Sequence, residues 1–201
     1  MEYWDIYDKD KKVTGRTMKK NDWCLKDGEY HLTVLGVIAN KDGRFLITKR
    51  VMTKSWAPGH WEVAGGACMA GETSEQAVQR EIKEETGLDV KGWEGGYVFS
   101  YKRENPGEGD NYFVDIYRYI GEFDASDLNF AAKEIDGYQL ASLEEIIQRN
   151  DAKYKFLSTP RGAVSSFETD INNWKQLKSI TDSANVPAAL FSGRIYCFML
   201  H

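Results

Sequence analysis

A stretch of 24 residues near the middle of the chain, from Gly65 to Leu88, constrains the fold more than any other part of the sequence. It reads GGACMAGETSEQAVQREIKEETGL. Thr73 and Gln76 have the spacing of a capping box, which predicts that a helix begins at about Ser74. Gly87 is placed to end this helix in a left-handed conformation, about three and a half turns later. The stretch therefore predicts a glycine-rich approach to one short helix.

The predicted helix carries three glutamates on one face. Glu81, Glu84 and Glu85 stand at positions i, i+3 and i+4, where side chains on a helix are neighbours. Like charges at these spacings repel by about 0.2–0.5 kcal/mol per pair, and the nearby basic residues are Arg80 and Lys83. A solvated surface helix is the simpler interpretation of this pattern. A hard divalent cation, which prefers oxygen ligands, would instead remove the repulsion, so the face is a candidate metal site.

The spacing of nine residues in this stretch resembles the motif of the Nudix hydrolases. That motif is glycine, five residues, glutamate, seven residues, then Arg-Glu-aliphatic-x-Glu-Glu-x-Gly-aliphatic. The matching positions are Gly66, Glu72, Arg80, Glu81, Ile82, Glu84, Glu85, Gly87 and Leu88. A chance match has odds of roughly one in a billion per window at typical residue usage. The resemblance implies an α/β protein with the Nudix fold, a mixed β-sheet sandwiched between helices, and hydrolysis of a diphosphate, an acid anhydride.

The resemblance also implies a role for the residues of the motif. The metal ligands that it implies, for Mg²⁺ or alternatively Mn²⁺, are the main-chain carbonyl of Gly65 and the side chains of Glu81, Glu84 and Glu85. Arg80 and Glu72 would orient these glutamates, and Arg80 is counted among the catalytic residues. Gly65 and Gly66 lack a Cβ, so they are expected to turn the backbone tightly. A main-chain carbonyl could then approach an ion that side chains would otherwise crowd.

Two more site residues are expected outside the motif. Nudix enzymes commonly use a further acid downstream, as a ligand or as the general base, and the segment KEIDGYQLASLEEI resembles that context. Glu134 is the predicted base, with Glu81 as the alternative and Asp136 as the substitute on the same segment. Arg50, at the end of a predicted strand, is a candidate for binding a substrate phosphate; the alternative is a surface arginine at a strand end.

Composition limits the class of protein and its partners. The chain has 201 residues, 42% of them hydrophobic and 28% charged, which is typical of a folded globular protein. A formal net charge of −5 argues against a nucleic acid partner, because nucleic-acid binders usually carry a basic field. Three cysteines without a CxxC spacing indicate neither a disulfide framework nor a zinc site. The sequence shows no signal peptide and no apolar run of membrane-spanning length, so we expect a cytoplasmic protein without a membrane partner.

The order of the predicted elements indicates one domain and an extension. Two short strands at 2–7 and 13–16 predict an N-terminal β-hairpin, which resembles the Nudix branch that includes isopentenyl-diphosphate isomerase. Further strands are expected at 31–39, 44–50, 61–63, 97–102, 112–120 and 137–141. Residues 1–150 are expected to form the Nudix domain, hairpin included. Residues 151–201 predict a C-terminal helical extension that packs on the domain or on a second subunit, which leaves a homodimer open.

Three functions fit the sequence to different degrees. The first is a Mg²⁺-dependent hydrolase of a nucleoside or other diphosphate linked to another moiety, X, so the expected partner is a small-molecule diphosphate. The second is an isopentenyl-diphosphate isomerase, suggested by the opening segment and His31. That enzyme needs a catalytic cysteine where this chain reads AGGA at 64–67, and more histidines than the three present here. The third is a non-catalytic nucleotide-sensing module, but such modules usually lose glutamates that this motif retains.

Overall fold

The computed structural model describes residues 1–54, 58–104, 109–130, 133–142 and 144–146. Its strands are β1 (Tyr3–Tyr7), β2 (Val13–Lys19), β3 (His31–Ala39), β4 (Phe45–Arg50), β5 (Trp61–Glu62), β6 (Ala64–Ala67), β7 (Glu94–Arg103), β8 (Tyr112–Ile120) and β9 (Ile135–Ala141), and its helix is α1 (Ser74–Thr86). The chain divides into two compact units, and the first comprises Met1–Val37 and Ala64–Phe130. The second comprises Ile38–Val63 and the described residues after 132.

The first unit is built around β3. This strand lies beside β8, which pairs antiparallel with β7, and it also pairs antiparallel with β6. Val34, Leu35 and Val37 are at most 1% exposed, as expected for a near-continuous apolar strand that is covered on both faces. Helix α1 buries Ile82 completely. A Cβ on Gly36 would lie only 2.5 Å from Cδ1 of Ile82, so this glycine allows the helix to approach β3 closely.

The boundaries of α1 are those predicted from its caps. Thr73 accepts a hydrogen bond from the N–H of Gln76 at 3.2 Å, and the Gln76 side chain accepts one from the N–H of Thr73 at 2.9 Å. Gly87 ends the helix with φ 83°, and its N–H donates to the carbonyl of Lys83. Capping box and left-handed glycine therefore fix the length of the helix, and the orphan backbone groups at both ends gain partners.

The predicted N-terminal hairpin is present in the first unit. β1 pairs antiparallel with β2, which continues to Lys19, three residues further than the sequence predicted. Trp4 and Ile6 of β1, Met18 of β2 and Leu25 of the following segment form a buried apolar cluster. A two-stranded hairpin is only marginally stable by itself, so this packing is what holds it in place.

The second unit consists of short antiparallel pairs. β4 lies between β5 and β9, and Phe45 pairs with Ala39 at the end of β3. β9 begins at Ile135, two residues earlier than predicted, so Asp136 lies within the strand and not in the loop before it. Ser142 and Glu145 form the predicted capping box, since each accepts a hydrogen bond from the backbone N–H of the other.

The α/β class is confirmed by these elements. The predicted C-terminal extension, 151–201, lies outside the described residues. Among the helices that the structure describes, none is both long and apolar enough to cross a membrane.

Candidate active site

Arg80 is the centre of a network of carboxylates on α1 and on the loop before it. Its Nε and Nη2 atoms donate to the two oxygens of Glu72, at 2.7 and 3.0 Å. Its Nη1 atom donates to Glu81 at 2.8 Å and to Glu84 at 3.2 Å, and Nη2 also reaches the carbonyl of Ala67 at 3.1 Å. One guanidinium thus connects strand β6, the loop and two of the predicted metal ligands, and the forked contact with Glu72 fixes its plane.

The ionisation of the pair at the centre of this network is shifted toward the charged forms. Burial raises the pKa of Glu72, but the hydrogen bonds from Arg80 and from the Met69 N–H outweigh it, so the net pKa lies below its usual value. The hydrogen bond to Glu72 raises the pKa of Arg80 above its usual value. Both groups therefore remain charged at neutral pH, as the predicted orienting role requires.

Glu85 occupies a different environment from the other glutamates of the motif. Glu85 as a whole residue is only 9% exposed, so its carboxylate is buried. Glu84, by contrast, has a side chain that is 59% exposed. The N–H of Gly65 donates to Oε2 of Glu85 at 3.1 Å, so this carboxylate is held against β6. The structure thus brings two of the predicted ligands, Gly65 and Glu85, into direct contact.

The expectation that Gly65 and Gly66 form a tight turn is wrong. Both residues lie in extended strand β6, where Leu35 pairs with Gly65 and Val34 with Gly66. Their lack of a side chain serves close packing instead, because a Cβ on Gly66 would lie 2.7 Å from Oε2 of Glu81. A Cβ on Gly65 would lie 2.8 Å from Cδ2 of Leu35. Gly66 thus makes room for the Glu81 carboxylate of α1, and Gly65 makes room for the neighbouring strand β3.

The residues of this region fit a hard divalent cation. The stretch from Gly65 to Leu88 contains five glutamates against two basic residues, a formal net charge of −3. Lys83 pairs with Asp89 at 3.0 Å, away from the motif glutamates. Carboxylate and carbonyl oxygens are the ligands that Mg²⁺ prefers, and Mg²⁺ typically needs only one or two carboxylates beside water and phosphate. Among the described residues no three acidic, histidine or cysteine side chains form a ready set of metal ligands, and Glu72, Glu81 and Glu84 contact Arg80 instead.

Arg50 lies in the second unit and is not the solvated surface arginine that the sequence allowed. Its Nη1 atom donates to Oε1 of Glu62 at 2.8 Å, and the two side chains are 14% and 5% exposed. Glu62 is the last residue of β5 and lies two positions before Ala64 in the sequence. The part of Arg50 in phosphate binding stays a prediction.

Glu134 and Asp136 also lie in the second unit, each beside a lysine. Glu134 accepts a hydrogen bond from Lys54 at 2.8 Å, and its side chain is 47% exposed. Asp136 is 3.4 Å from Lys49 and 53% exposed. Both carboxylates are accessible to solvent, so these contacts do not separate the two candidates for the base.

Sequence reasoning missed a second charged cluster at the start of α1. Asp115 of β8 is 3% exposed and forms an ion pair with Lys11, in the turn between β1 and β2. Its other oxygen accepts a hydrogen bond from the Ser74 hydroxyl at 2.6 Å, and Lys11 also reaches Ser100 at 3.1 Å. The available signal was one acid within an apolar strand, but its partner Lys11 lies 104 positions away.

The fold and this site define an α/β protein with an arginine-centred set of carboxylates on its helix. Comparison with known proteins identifies the family to which such a protein belongs. Residues 29–160 match the model of the NUDIX domain family. An uncharacterized Nudix hydrolase from Listeria monocytogenes is 34% identical over 149 residues, which cover 73% of this chain and 83% of that protein. The CTP pyrophosphohydrolase of Escherichia coli is 37% identical over 76 residues, which cover 38% of this chain and 54% of that enzyme.

A solved structure agrees at the level of the fold. The crystal structure of DR0079 from Deinococcus radiodurans matches 75% of this chain and 90% of its own, with a TM-score of 0.61 and 24% identity. The predicted fold, a mixed sheet of the Nudix α/β type, is therefore confirmed. The chain belongs to the Nudix family and is an enzyme of its hydrolase class.

Proposed function

We propose that this enzyme is a Mg²⁺-dependent diphosphohydrolase that cleaves a nucleoside or other diphosphate linked to a moiety X. The observation that carries the proposal is the network in which Arg80 holds Glu72, Glu81 and Glu84. All the charged residues of the motif are retained, which favours catalysis over a sensing module. Mn²⁺ is the alternative metal.

The residues of the motif would have separate roles in metal binding and in orienting the metal ligands. Glu81, Glu84 and Glu85, with the carbonyl of Gly65, would hold the cation. When bound, Mg²⁺ neutralises phosphate charge and lowers the pKa of a coordinated water. Arg80 and Glu72 would keep the helix carboxylates oriented, and Arg50 is the candidate for binding a substrate phosphate.

Glu134 is the proposed general base, with Glu81 as the alternative. Its side chain is solvent-accessible, so it can exchange protons with water, and Lys54 lies beside it at 2.8 Å. Glu134→Gln should then lower kcat by about 10²–10⁴-fold, the usual contribution of a general base. Asp136→Asn is the matched control, since Asp136 is equally exposed and also paired with a lysine. A loss confined to Asp136→Asn would move the base to that residue, and a loss in neither would favour Glu81.

A screen with and without Mg²⁺ tests the proposal. Nucleoside, sugar, dinucleotide and isoprenoid diphosphates should be compared by release of phosphate or nucleotide, and excess chelator should abolish turnover. Undiminished turnover in chelator, or no turnover of any of these compounds with Mg²⁺ or Mn²⁺, would contradict it. The CTP pyrophosphohydrolase among the similar proteins makes nucleoside triphosphates a further class for the screen.

The described residues offer no contact that favours an isomerase. The expected position of the catalytic cysteine falls in β6, which reads AGGA. The neighbouring Cys68 is buried, and burial raises the pKa of its thiol to about 12, so little thiolate forms at neutral pH. We expect no dimethylallyl diphosphate from isopentenyl diphosphate above a control without enzyme.

A further inference from the structure

We propose that the N-terminal hairpin is a positioning element of the active site. It would hold the motif loop, residues 68–73, and the first residue of α1, so that the carboxylates of the motif stand where a cation can bind them. The family match begins at residue 29, so the hairpin lies outside the matched region. The catalytic part of this inference depends on the proposed hydrolysis.

Strand β1 makes direct polar contacts with the motif loop. The N–H of Ala70 donates to the carbonyl of Tyr3 at 2.8 Å, and the N–H of Gly71 donates to Oδ2 of Asp5 at 2.8 Å. Gly71 has φ 82°, a left-handed conformation that favours glycine. The residue that follows is Glu72, which holds Arg80. The strand therefore fixes the backbone just before the carboxylate that orients the arginine.

The turn of the hairpin reaches the start of the helix. Lys11 has φ 60°, which is uncommon for a lysine, and its amine pairs with the buried Asp115. Asp115 also accepts the hydroxyl of Ser74, the first residue of α1. Because a buried carboxylate needs a compensating cation, Lys11 allows Asp115 to hold the helix in this place.

Apolar contacts dock the hairpin at the same loop. The Trp4 ring stacks on His31 at the beginning of β3, with centroids 4.8 Å apart, and Ala67 at the end of β6 packs against the hairpin cluster. Apolar packing would be enough if the hairpin only covered the core. The added polar contacts fall on Ala70, Gly71 and, through Asp115, on Ser74, which brackets Glu72 on both sides. This concentration on the motif loop is what indicates a positioning role.

The test compares two variants of the hairpin with two controls from the turn between β1 and β2. Asp5→Ala removes the contact with Gly71, and Lys11→Met removes the cation beside Asp115. Asp10→Ala and Lys9→Met make the same chemical changes at exposed positions. Three properties should be measured: Mn²⁺ affinity by electron paramagnetic resonance, amide hydrogen exchange at residues 70–74, and kcat with KM on the best substrate.

We expect both hairpin variants to weaken Mn²⁺ binding and to lower kcat, each by about 10–100-fold, the usual cost of losing groups that orient metal ligands. KM should change little, because binding of the substrate would not use the hairpin. Exchange at Ala70 and Gly71 should become faster. Both controls should behave as the parent protein.

Other outcomes would overturn the inference. If Asp5→Ala keeps the Mn²⁺ affinity and kcat of the parent, the hairpin only covers the core and does not position the site. This holds even if amide exchange at the loop becomes faster. If Lys11→Met does not fold, the Asp5→Ala variant alone tests the inference. We expect it to fold, because removing the half-buried Asp5 carboxylate leaves no unpaired charge in the interior. If the parent hydrolyses nothing, the proposed function fails, while Mn²⁺ affinity and hydrogen exchange still decide on the hairpin.

Discussion

Two charged clusters on the same helix differ in their balance of charge. The Arg80 cluster sets one guanidinium against three carboxylates, those of Glu72, Glu81 and Glu84. The Asp115 cluster pairs one carboxylate with one cation, Lys11, and completes it with the hydroxyls of Ser74 and Ser100. One helix therefore begins at a balanced cluster and carries an excess of negative charge further along.

The difference distinguishes a residue that builds the fold from one that serves the reaction. A buried pair that is balanced and hydrogen-bonded is strongly destabilised when one partner is removed. An excess of carboxylates costs stability through repulsion, and residues kept at such a cost are typical of functional sites. The comparison predicts that mutations in the Asp115 cluster cost much stability, with a loss of activity only through the displaced motif loop. Mutations in the Arg80 cluster should cost activity and leave stability nearly unchanged.

The largest effect is expected in the balanced cluster. Lys11→Met should lower the free energy of unfolding by about 3–5 kcal/mol, because it leaves the Asp115 carboxylate buried without its cation. Urea denaturation in chelator measures this, with the exposed Lys9→Met as the control, expected within about 0.5 kcal/mol of the parent. A cost as small as that of the control would mean that water replaces the lysine and that the cluster is not structural.

Mutations in the Arg80 cluster, which has an excess of carboxylates, should cost activity and little stability. Glu84→Gln should lower kcat/KM about 100-fold or more, equivalent to about 2.7 kcal/mol, through the loss of a metal ligand. Its stability in chelator should change by no more than about 0.5 kcal/mol, since one exposed ion pair with Arg80 is lost and one repulsion is relieved.

Glu75→Gln is the control for this second prediction. Glu75 is exposed on the first turn of the same helix but does not belong to the motif. An equal loss of activity in both variants would show that the charge of the helix, not the position of Glu84, matters.

Much of this contrast could be predicted from the sequence, because it depends on local spacing. The capping box, the glycine at the end of α1 and the i, i+3, i+4 face are properties of one short segment. Strand β3, a long β-branched run, was also predicted with its observed bounds, His31–Ala39. Local patterns suffice where each residue's neighbours are close in the chain.

The rest depended on contacts between distant parts of the chain. The glycines of β6 looked like a turn, since only the packed structure shows that Glu81 occupies the space beside Gly66. The three glutamates of the face looked equivalent, yet Glu85 is buried against Gly65. Asp115 gave no sign of its partner in the hairpin. Such features need the register of strands and helix, which spacing in the sequence does not contain.

Glu85 combines features of both clusters and gives the next prediction. Glu85→Ala should cost about 1–3 kcal/mol of stability in chelator, because it removes the acceptor of the Gly65 N–H. Glu85→Gln keeps an acceptor oxygen and should cost about 1 kcal/mol or less. Both variants should lose Mg²⁺-dependent turnover. Thermal melts with and without Mg²⁺ separate the two effects. Full Mg²⁺-dependent turnover in Glu85→Gln would remove this residue from the metal site.

The smallest effect concerns Thr73, which lies between the two clusters, directly after Glu72 and directly before Ser74. Thr73→Ala removes the acceptor of the Gln76 N–H and should cost about 1 kcal/mol, the usual value for the loss of an N-cap. Thr73→Ser keeps the hydroxyl and should remain close to the parent. Because Asp115 still holds Ser74, the first turn should stay in place and Mn²⁺ affinity should change by less than about threefold, an effect below about 0.7 kcal/mol. If Mn²⁺ affinity instead falls tenfold in Thr73→Ala, the cap and not the Asp115 cluster positions the start of the helix. The contrast between the Asp115 cluster, which stabilises the fold, and the Arg80 cluster, which serves metal binding, would then no longer hold at this end of α1.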